Sequence, residues 1–230
     1  MSNSSIKSLA QLRQVSPLPK VIFLDAVNTL FGVKESVGHV YQAIAAKFDV
    51  EVEPSTINRA FYKSFVSSPT LAFPDVSPEL VPQLEFEWWE KLAYETFTGA
   101  GFIEYFDDFP AFFKSLYAHF ATDAPWYLYP EVLSILQYWQ ANGVELGIIS
   151  NFDSRLLPVL EQLGLQDFFG TITISSLSGV AKPEAEIFAI ALEKHGISPE
   201  EAWHIGDSET EDFQAATEAG IRGFWLQRPD

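Results

Sequence analysis

Three carboxylates, a lysine and a serine stand at positions suited to one site. Asp25 closes the apolar run Val21-Ile22-Phe23-Leu24, and Gly206-Asp207 follows Trp203-His204-Ile205. Ser150-Asn151 follows Gly147-Ile148-Ile149, Lys182 precedes Pro183 at the start of a helical stretch, and Asp212 lies shortly beyond Asp207. Short apolar runs of this kind read as buried strands. In an open parallel sheet, ligands collect outside the carboxyl ends of the strands. Positions scattered along the chain then converge. A carboxylate held near a divalent cation can attack phosphorus and form an acyl phosphate, dividing one difficult step into two. Mg2+ takes oxygen ligands at about 2.0–2.1 Å and keeps waters beside one or two carboxylates. Asp25 and Asp207 can supply those carboxylates, and Asp212 can ligate the ion or orient a bound water. The Ser150 hydroxyl and nearby N–H groups suit phosphate oxygens, and Lys182 adds a compact positive charge. Singly, each feature is commonplace: an Asp caps turns and a Lys-Pro starts helices. Their order on successive elements carries the reading.

The elements that position these residues follow from periodicity. From about Phe31 to Asp123 the pattern is helical. Val37, Tyr41, Ile44, Ala45 and Phe48 share one face; so do Ile57, Phe61 and Phe65, then Leu84, Trp88 and Leu92. Phe109, Phe112, Phe113, Leu116, Tyr117 and Phe120 form the clearest stripe. Four helices with inward aromatic faces make a small bundle, and these aromatics read as core rather than as ligand contacts. Beyond Trp126, strands alternate with helices. Pro130 opens a helix that Gly143 closes, and Val144 to Ile149 is a strand. A helix over Leu156 to Leu163, a strand over Gly170 to Ile174 and a helix from Pro183 to Gly196 follow. Ser198 and Glu201 form a capping-box pattern. Trp203 to Ile205 is a strand, Thr210 to Ala219 a helix and Arg222 to Leu226 a last strand. The expected fold is α/β: a Rossmann-like, doubly wound parallel sheet with an α-helical bundle inserted after the first strand.

Composition sets the outer bounds. The 230 residues contain no cysteine, so disulfides, zinc–thiolate sites and cysteine nucleophiles are excluded. The net charge of −17 repels polyanions, which argues against nucleic-acid partners. No apolar run reaches the ~20 residues of a membrane span. Lys7, Arg13 and Lys20 give the first 24 residues a basic, Ser-rich character without an acid. That stretch reads as a tail or a short surface helix, and the protein as cytoplasmic, with import into an organelle left open.

The motifs together resemble the haloacid dehalogenase superfamily. They are Asp25-Ala26-Val27-Asn28-Thr29-Leu30, Ser150-Asn151, Lys182-Pro183, and Gly206-Asp207-Ser208-Glu209-Thr210-Glu211-Asp212. The resemblance implies an N-terminal extension over residues 1–19, a core over 20–32 and 125–230, and a helical cap over 33–124. It further implies Asp25 as nucleophile and metal ligand, the Val27 carbonyl as a second ligand, and Asp207 as a third with Asp212 in support. Thr29, Ser150, Asn151 and Lys182 would hold the phosphate of a small phosphorylated substrate. One position departs from the phosphatase pattern. Where a second Asp ordinarily donates a proton to the leaving group and then activates water, this chain has Val27, and the next residue, ordinarily Gly, is Asn28. General acid–base catalysis is worth about 10²–10⁴-fold, so ordinary phosphomonoester hydrolysis should be slow. The expected function is a Mg2+-dependent phosphohydrolase of atypical or reduced activity. The alternatives are a 2-haloacid dehalogenase-like hydrolase, which also lacks the second Asp, and a non-catalytic binding or assembly factor with a protein partner. Asn tolerates unusual backbone angles better than most residues, so the turn at Asn28 is expected to persist.

Overall fold

The computed structural model describes residues 5–228. Its strands are β1 (Ser5–Ile6), β2 (Val21–Leu24), β3 (Phe31–Val33), β4 (Trp126–Leu128), β5 (Glu145–Ser150), β6 (Thr171–Ile174), β7 (Ala202–Gly206) and β8 (Arg222–Leu226). Its helices are α1 (Val37–Ala45), α2 (Pro54–Ser67), α3 (Val81–Ala100), α4 (Phe109–His119), α5 (Val132–Ala141), α6 (Leu156–Gln162), α7 (Ser175–Ser178), α8 (Ala185–His195) and α9 (Ala215–Glu218). Six strands form one sheet in the order β1-β8-β7-β2-β5-β6, and every neighbouring pair runs parallel. The α/β reading of the sequence therefore holds.

Period-two alternation divides the sheet between two apolar cores. Ile22, Leu24, Ile148 and Ile205 point to one face, where α5 and α6 supply Ile135, Trp139, Leu156 and Leu160. Val21, Phe23 and Ile149 point to the other, against Ile187, Phe188 and Ala191 of α8 and Ala215 and Ala216 of α9. Strands covered on both faces must read as continuous apolar runs, which is why Val21 to Leu24 could be recognised at once.

Helices α1 to α4 pack around a third core that includes Tyr41, Ile57, Phe97, Phe112 and Phe113. The stretch expected to be helical from Phe31 instead begins with β3. This strand pairs antiparallel with β4, Gly32 lying opposite Tyr127. The chain thus leaves for the helical segment and returns from it along one two-stranded stem. A Cβ at Gly32 would stand 2.8–2.9 Å from the Tyr127 phenol, so a larger residue there would require that ring to move aside. Three residues are too short a run for periodicity to separate a strand from a helix start. Among the described residues, no helix is long and apolar enough to cross a membrane.

The N-terminal stretch departs most from expectation. Residues 1–4 lie outside the described residues. Beyond them, Ser5 and Ile6 extend the sheet beside Trp225 and Leu226. A 3-10 turn over Leu9–Gln14, capped by Ser8, then packs Leu9 and Leu12 into the first core. Both leucines have no solvent exposure. The turn is anchored core structure, and two apolar residues three apart gave too little pattern to separate it from a surface helix. Leu12→Ala should therefore lower stability by about 2–5 kcal/mol, the usual cost of truncating a buried leucine. Urea denaturation checks this; a midpoint shift worth less than about 0.5 kcal/mol, typical of surface sites, would return Leu12 to the surface.

Candidate functional site

The sheet order brings the polar strand ends side by side. β2 lies between β5 and β7, with Leu24 in register with Ile148 on one side and Ile205 on the other. After β2 the chain builds outward through β5 and β6, then crosses to β7 and β8 on the opposite flank. The reversal opens a crevice at the carboxyl end of β2, where such sheets bind ligands. Asp25 enters it as its N–H donates to the Ile205 carbonyl at 2.9 Å.

A tight turn follows. The Ala26 carbonyl accepts from Leu30 N–H at 2.8 Å, and Asn28 N–H donates to the Phe31 carbonyl at 2.7 Å. Asn28 adopts φ +59°, in the left-handed region that Asn tolerates better than other side-chain-bearing residues. The turn persists without the usual glycine, and the replacement adds a contact: Asn28 Nδ2 donates to Asp207 Oδ2 at 3.2 Å.

Lys182 forms the centre of the cluster. Its ammonium is 2.8 Å from Asp25 Oδ1 and 2.5 Å from Asp212 Oδ1, and its side chain is only 2% exposed. The Asn151 amide holds the Lys182 backbone at both ends, accepting from its N–H at 2.8 Å and donating to its carbonyl at 2.9 Å. Asp212 reaches into the cluster from a π-helical turn over Glu209–Gln214. Its Oδ1 also meets His204 Nε2 at 2.9 Å, and its Oδ2 accepts from Ser208 N–H at 3.0 Å. Carboxylate oxygens of Asp25, Asp207 and Asp212 lie within 4.8 Å of one another. Three hard oxygen donors so close could hold a divalent cation such as Mg2+.

Burial and charge set the protonation states. Burial disfavours the charged form of Lys182, but Asp212 and Asp25 outweigh it and hold the ammonium charged. For Asp212, burial is outweighed by Lys182 and His204, keeping the carboxyl well below the usual carboxylate range. Burial pushes Asp25 up, against the pull of Lys182. Burial, together with the charges of Asp25 and Asp212, pushes Asp207 up to about 7. One ammonium cannot balance three carboxylates, and Asp207 carries the deficit. Burial keeps the His204 ring neutral. Facing an ionised Asp212, that ring must carry its proton on Nε2.

The remaining expected residues are placed differently. Ser150 is the buried last residue of β5, and Thr29 is fully buried in the turn. Among the described residues, neither hydroxyl bonds to Asp25, Asp207, Asp212 or Lys182, and the Thr29 hydroxyl has no partner. Val27 is half-buried and lines the cavity above the crevice.

Above the cluster lies a cavity of about 930 Å3, reaching from Asn28, Asn151 and Lys182 to the helical segment. Phe61 and Phe65 of α2, Trp88 and Trp89 of α3, and Tyr117 of α4 form its walls. The α2 stripe read as core is therefore divided: Ile57 is fully buried, whereas Phe65 is 47% exposed and faces the cavity. Arg155 stiffens this wall. Its guanidinium forks onto Asp153 at 2.8 and 2.7 Å and lies 3.8 Å from the Tyr117 ring centroid and 5.0 Å from that of Trp89. Buried Glu85 of α3 accepts from Ser154 N–H at 2.9 Å and from Ser176 Oγ at 2.6 Å, tying the wall to the loop beyond β5 and to α7.

The family model for haloacid dehalogenase-like hydrolase matches residues 19–220. Haloacid dehalogenase-like hydrolase domain-containing protein 3 of Xenopus laevis is 32% identical over 208 residues, 90% of this chain and 84% of that protein. The chain belongs to the haloacid dehalogenase-like hydrolases. Within them it falls in the branch of that relative. Two solved structures share the fold. L-2-haloacid dehalogenase from Xanthobacter autotrophicus has a TM-score of 0.65 at 17% identity, covering 90% of this chain and 76% of its own. A HAD phosphatase from Thermococcus onnurineus has a TM-score of 0.59 at 19% identity, covering 90% and 86%.

In this haloacid dehalogenase-like hydrolase, residues beyond the four motifs complete the site. His204 supports Asp212, yet reads in the sequence as one polar residue inside a strand. The signal was its spacing: period two puts His204 on the same side of β7 as Gly206. Gly206 in turn admits Asp212, because a Cβ there would lie 2.1 Å from Asp212 Cγ. Gly206→Ala should therefore displace Asp212 from Lys182 and His204 and cost about 1–3 kcal/mol or more from overpacking. Urea denaturation together with the imidazole resonances of His204 reads both effects. A variant as stable as wild type, with unchanged His204 resonances, would show that the strand and the π-helical turn are not in close contact.

Proposed function

We propose that this hydrolase is a Mg2+-dependent phosphohydrolase acting on a small phosphomonoester through a phosphorylated Asp25. The observation that carries this reading is the cluster of three carboxylates around one buried ammonium at adjacent strand ends. Asp25, Asp207 and the Val27 carbonyl would hold the cation. Asp212, whose oxygens already serve Lys182, His204 and Ser208, supports from behind. When bound, Mg2+ supplies the positive charge that lets a dianionic phosphate approach a carboxylate. Lys182 orients Asp25 and neutralises phosphate oxygens, while Asn151 fixes Lys182. A carboxylate oxygen of Asp25 attacks phosphorus, and the bond to the leaving oxygen breaks with its electron pair. Water then attacks the acyl phosphate, regenerating Asp25 and releasing inorganic phosphate. Val27 transfers no proton in either step. The helices between β3 and β4 act as a cap over the crevice.

Two experiments test this. Asp25→Asn should abolish turnover of a phosphomonoester, and Asp207→Asn should weaken Mg2+ binding at least tenfold by calorimetry. Mg2+ affinity equal in wild type and Asp207→Asn would remove the metal from the reading. The same Val27 favours a second reading, a metal-independent 2-haloacid dehalogenase, in which Asp25 attacks carbon and halide leaves without a proton. Turnover of a 2-haloacid in EDTA, with none of any phosphate, would establish that alternative.

Val27 also makes a sharper prediction. Supplying the missing acid should help most where the leaving group needs a proton. Val27→Asp should raise turnover of an alkyl phosphate by up to roughly 10²-fold, with a smaller gain in the first step on an aryl phosphate. Steady-state and single-turnover rates on both esters check it. A folded, Mg2+-binding variant with both rates unchanged would mean that the missing acid is not what limits the enzyme.

A further inference from the structure

We infer that the substrate is a monophosphate ester of an aromatic alcohol, an aryl phosphate whose ring system occupies the cavity above Lys182. The inference rests on the phosphohydrolase reading and adds the class of leaving group. Three independent features of the cavity converge on it.

The first is shape and surface. At about 930 Å3 the cavity is far larger than a phosphate and well above the roughly 300 Å3 at which ligand sites begin. Much of its wall above the polar floor is formed by Phe61, Phe65, Trp88, Trp89 and Tyr117, rings that favour edge-on and offset stacking with another ring. Phe65 already stacks on Phe61 at 5.7 Å between centroids while remaining 47% exposed, so it offers ring surface not yet covered by protein.

The second is charge. Four charged side chains line the cavity: Glu35, Arg155, Lys182 and Glu211. Both bases are engaged. Arg155 is forked onto Asp153, and Lys182 sits between Asp25 and Asp212. Lys182 meets the one phosphate at the cavity floor. Among the described residues that line the cavity, no further cation remains for a second phosphate or a carboxylate, and Glu35 and Glu211 oppose one. The leaving group therefore carries no second anionic group.

The third is the proton. Val27 lines the cavity and, having no ionisable group, cannot protonate a departing oxygen. A phenol has a pKa near 10, as tyrosine does. An aliphatic alcohol is about as weak an acid as water, ~15.7. Phenolate leaves readily without a donor; alkoxide leaves far more slowly. In the first step the bond from Asp25 Oδ to phosphorus forms, and the bond from phosphorus to the aryl oxygen breaks with its electron pair on the phenolate. In the second, water adds to phosphorus, the bond to Asp25 breaks, and the proton released balances the one the phenolate takes up. The lost acid and the aromatic walls are then two sides of one specificity.

The test is a kcat/KM series with the full-length protein and Mg2+ on acetyl phosphate, phenyl phosphate, 2-naphthyl phosphate, 4-carboxyphenyl phosphate and 3-phenylpropyl phosphate. We expect 2-naphthyl phosphate to exceed phenyl phosphate about tenfold, and 4-carboxyphenyl phosphate to fall at least tenfold below it. 3-Phenylpropyl phosphate, which keeps the ring but leaves as an alkoxide, should show kcat lower by roughly 10²-fold, the usual scale of a missing acid. Phe65→Ala, at a half-exposed position, should raise KM for 2-naphthyl phosphate by ~3–10-fold, the size of one ring contact. Asp25-dependent turnover of acetyl phosphate with no preference among the aryl and alkyl esters would overturn the aryl assignment and leave the phosphohydrolase reading standing. Turnover of none of the five, acetyl phosphate included, would overturn that reading and the aryl assignment with it.

Discussion

The buried contact of Lys182 with Asp25 and Asp212 is the interaction on which the rest of the site depends. An ammonium with almost no solvent exposure survives only where negative charge surrounds it. Each neighbouring feature supplies part of that condition. The Asn151 amide fixes the lysine backbone, Gly206 leaves room for Asp212, and His204 and Ser208 fix the Asp212 oxygens. The sheet order does the remainder, because only adjacency of β2 to β7 puts Asp25 and Asp207 on neighbouring strand ends. Removing one carboxylate would leave an ammonium less compensated. Removing the lysine would leave three mutually repelling acids.

The same imbalance explains the character of the space above. Three carboxylates on one ammonium make a floor that attracts cations and accepts an anion only with their help. The walls are apolar, and the guanidinium of Arg155 is spent on holding Trp89 and Tyr117 in place. The charged cluster is thus confined to the strand ends, while the helical segment contributes most of the apolar surface together with Glu35 and Asn58. A fold that keeps its charged cluster at the sheet and much of its cavity wall on the helices can change that wall without disturbing the cluster.

Much of this was legible in the sequence, and the exceptions have physical reasons. Val21 to Leu24 and the Asp25 that ends them were readable because a strand buried on both faces must be apolar throughout. Asp207, Asp212 and Lys182 were readable from their order on alternating elements. His204 was not, since a single polar residue within a strand looks alike whether it meets solvent or a carboxylate. Nor was the Asn28 bond to Asp207, which depends on a left-handed turn bending one side chain toward another strand. The Phe61 and Phe65 stripe announced a helix correctly, but periodicity reports only that a face is apolar. It cannot say whether protein or a cavity covers it. The N-terminal turn failed for the opposite reason: Leu9 and Leu12 are deeply buried, yet too few residues repeat to mark a face.

The stem of β3 and β4 has a consequence for how such a chain can fold and diverge. β2 and β5 pair although the whole helical segment separates them in sequence, and closing so long a loop slows folding. Pairing Val33 with Trp126 brings the two ends of that segment together. Seen from the sheet, the bundle then behaves as a short turn. Because closure entropy grows only logarithmically, doubling the segment's length would add just ~0.6 kcal/mol. A bundle attached in this way can change in length at little entropic cost to the pairing of the sheet, provided that the ties of Glu85 and Trp89 to the loop beyond β5 are kept. Gly32, facing the Tyr127 ring, sits at the middle of that stem.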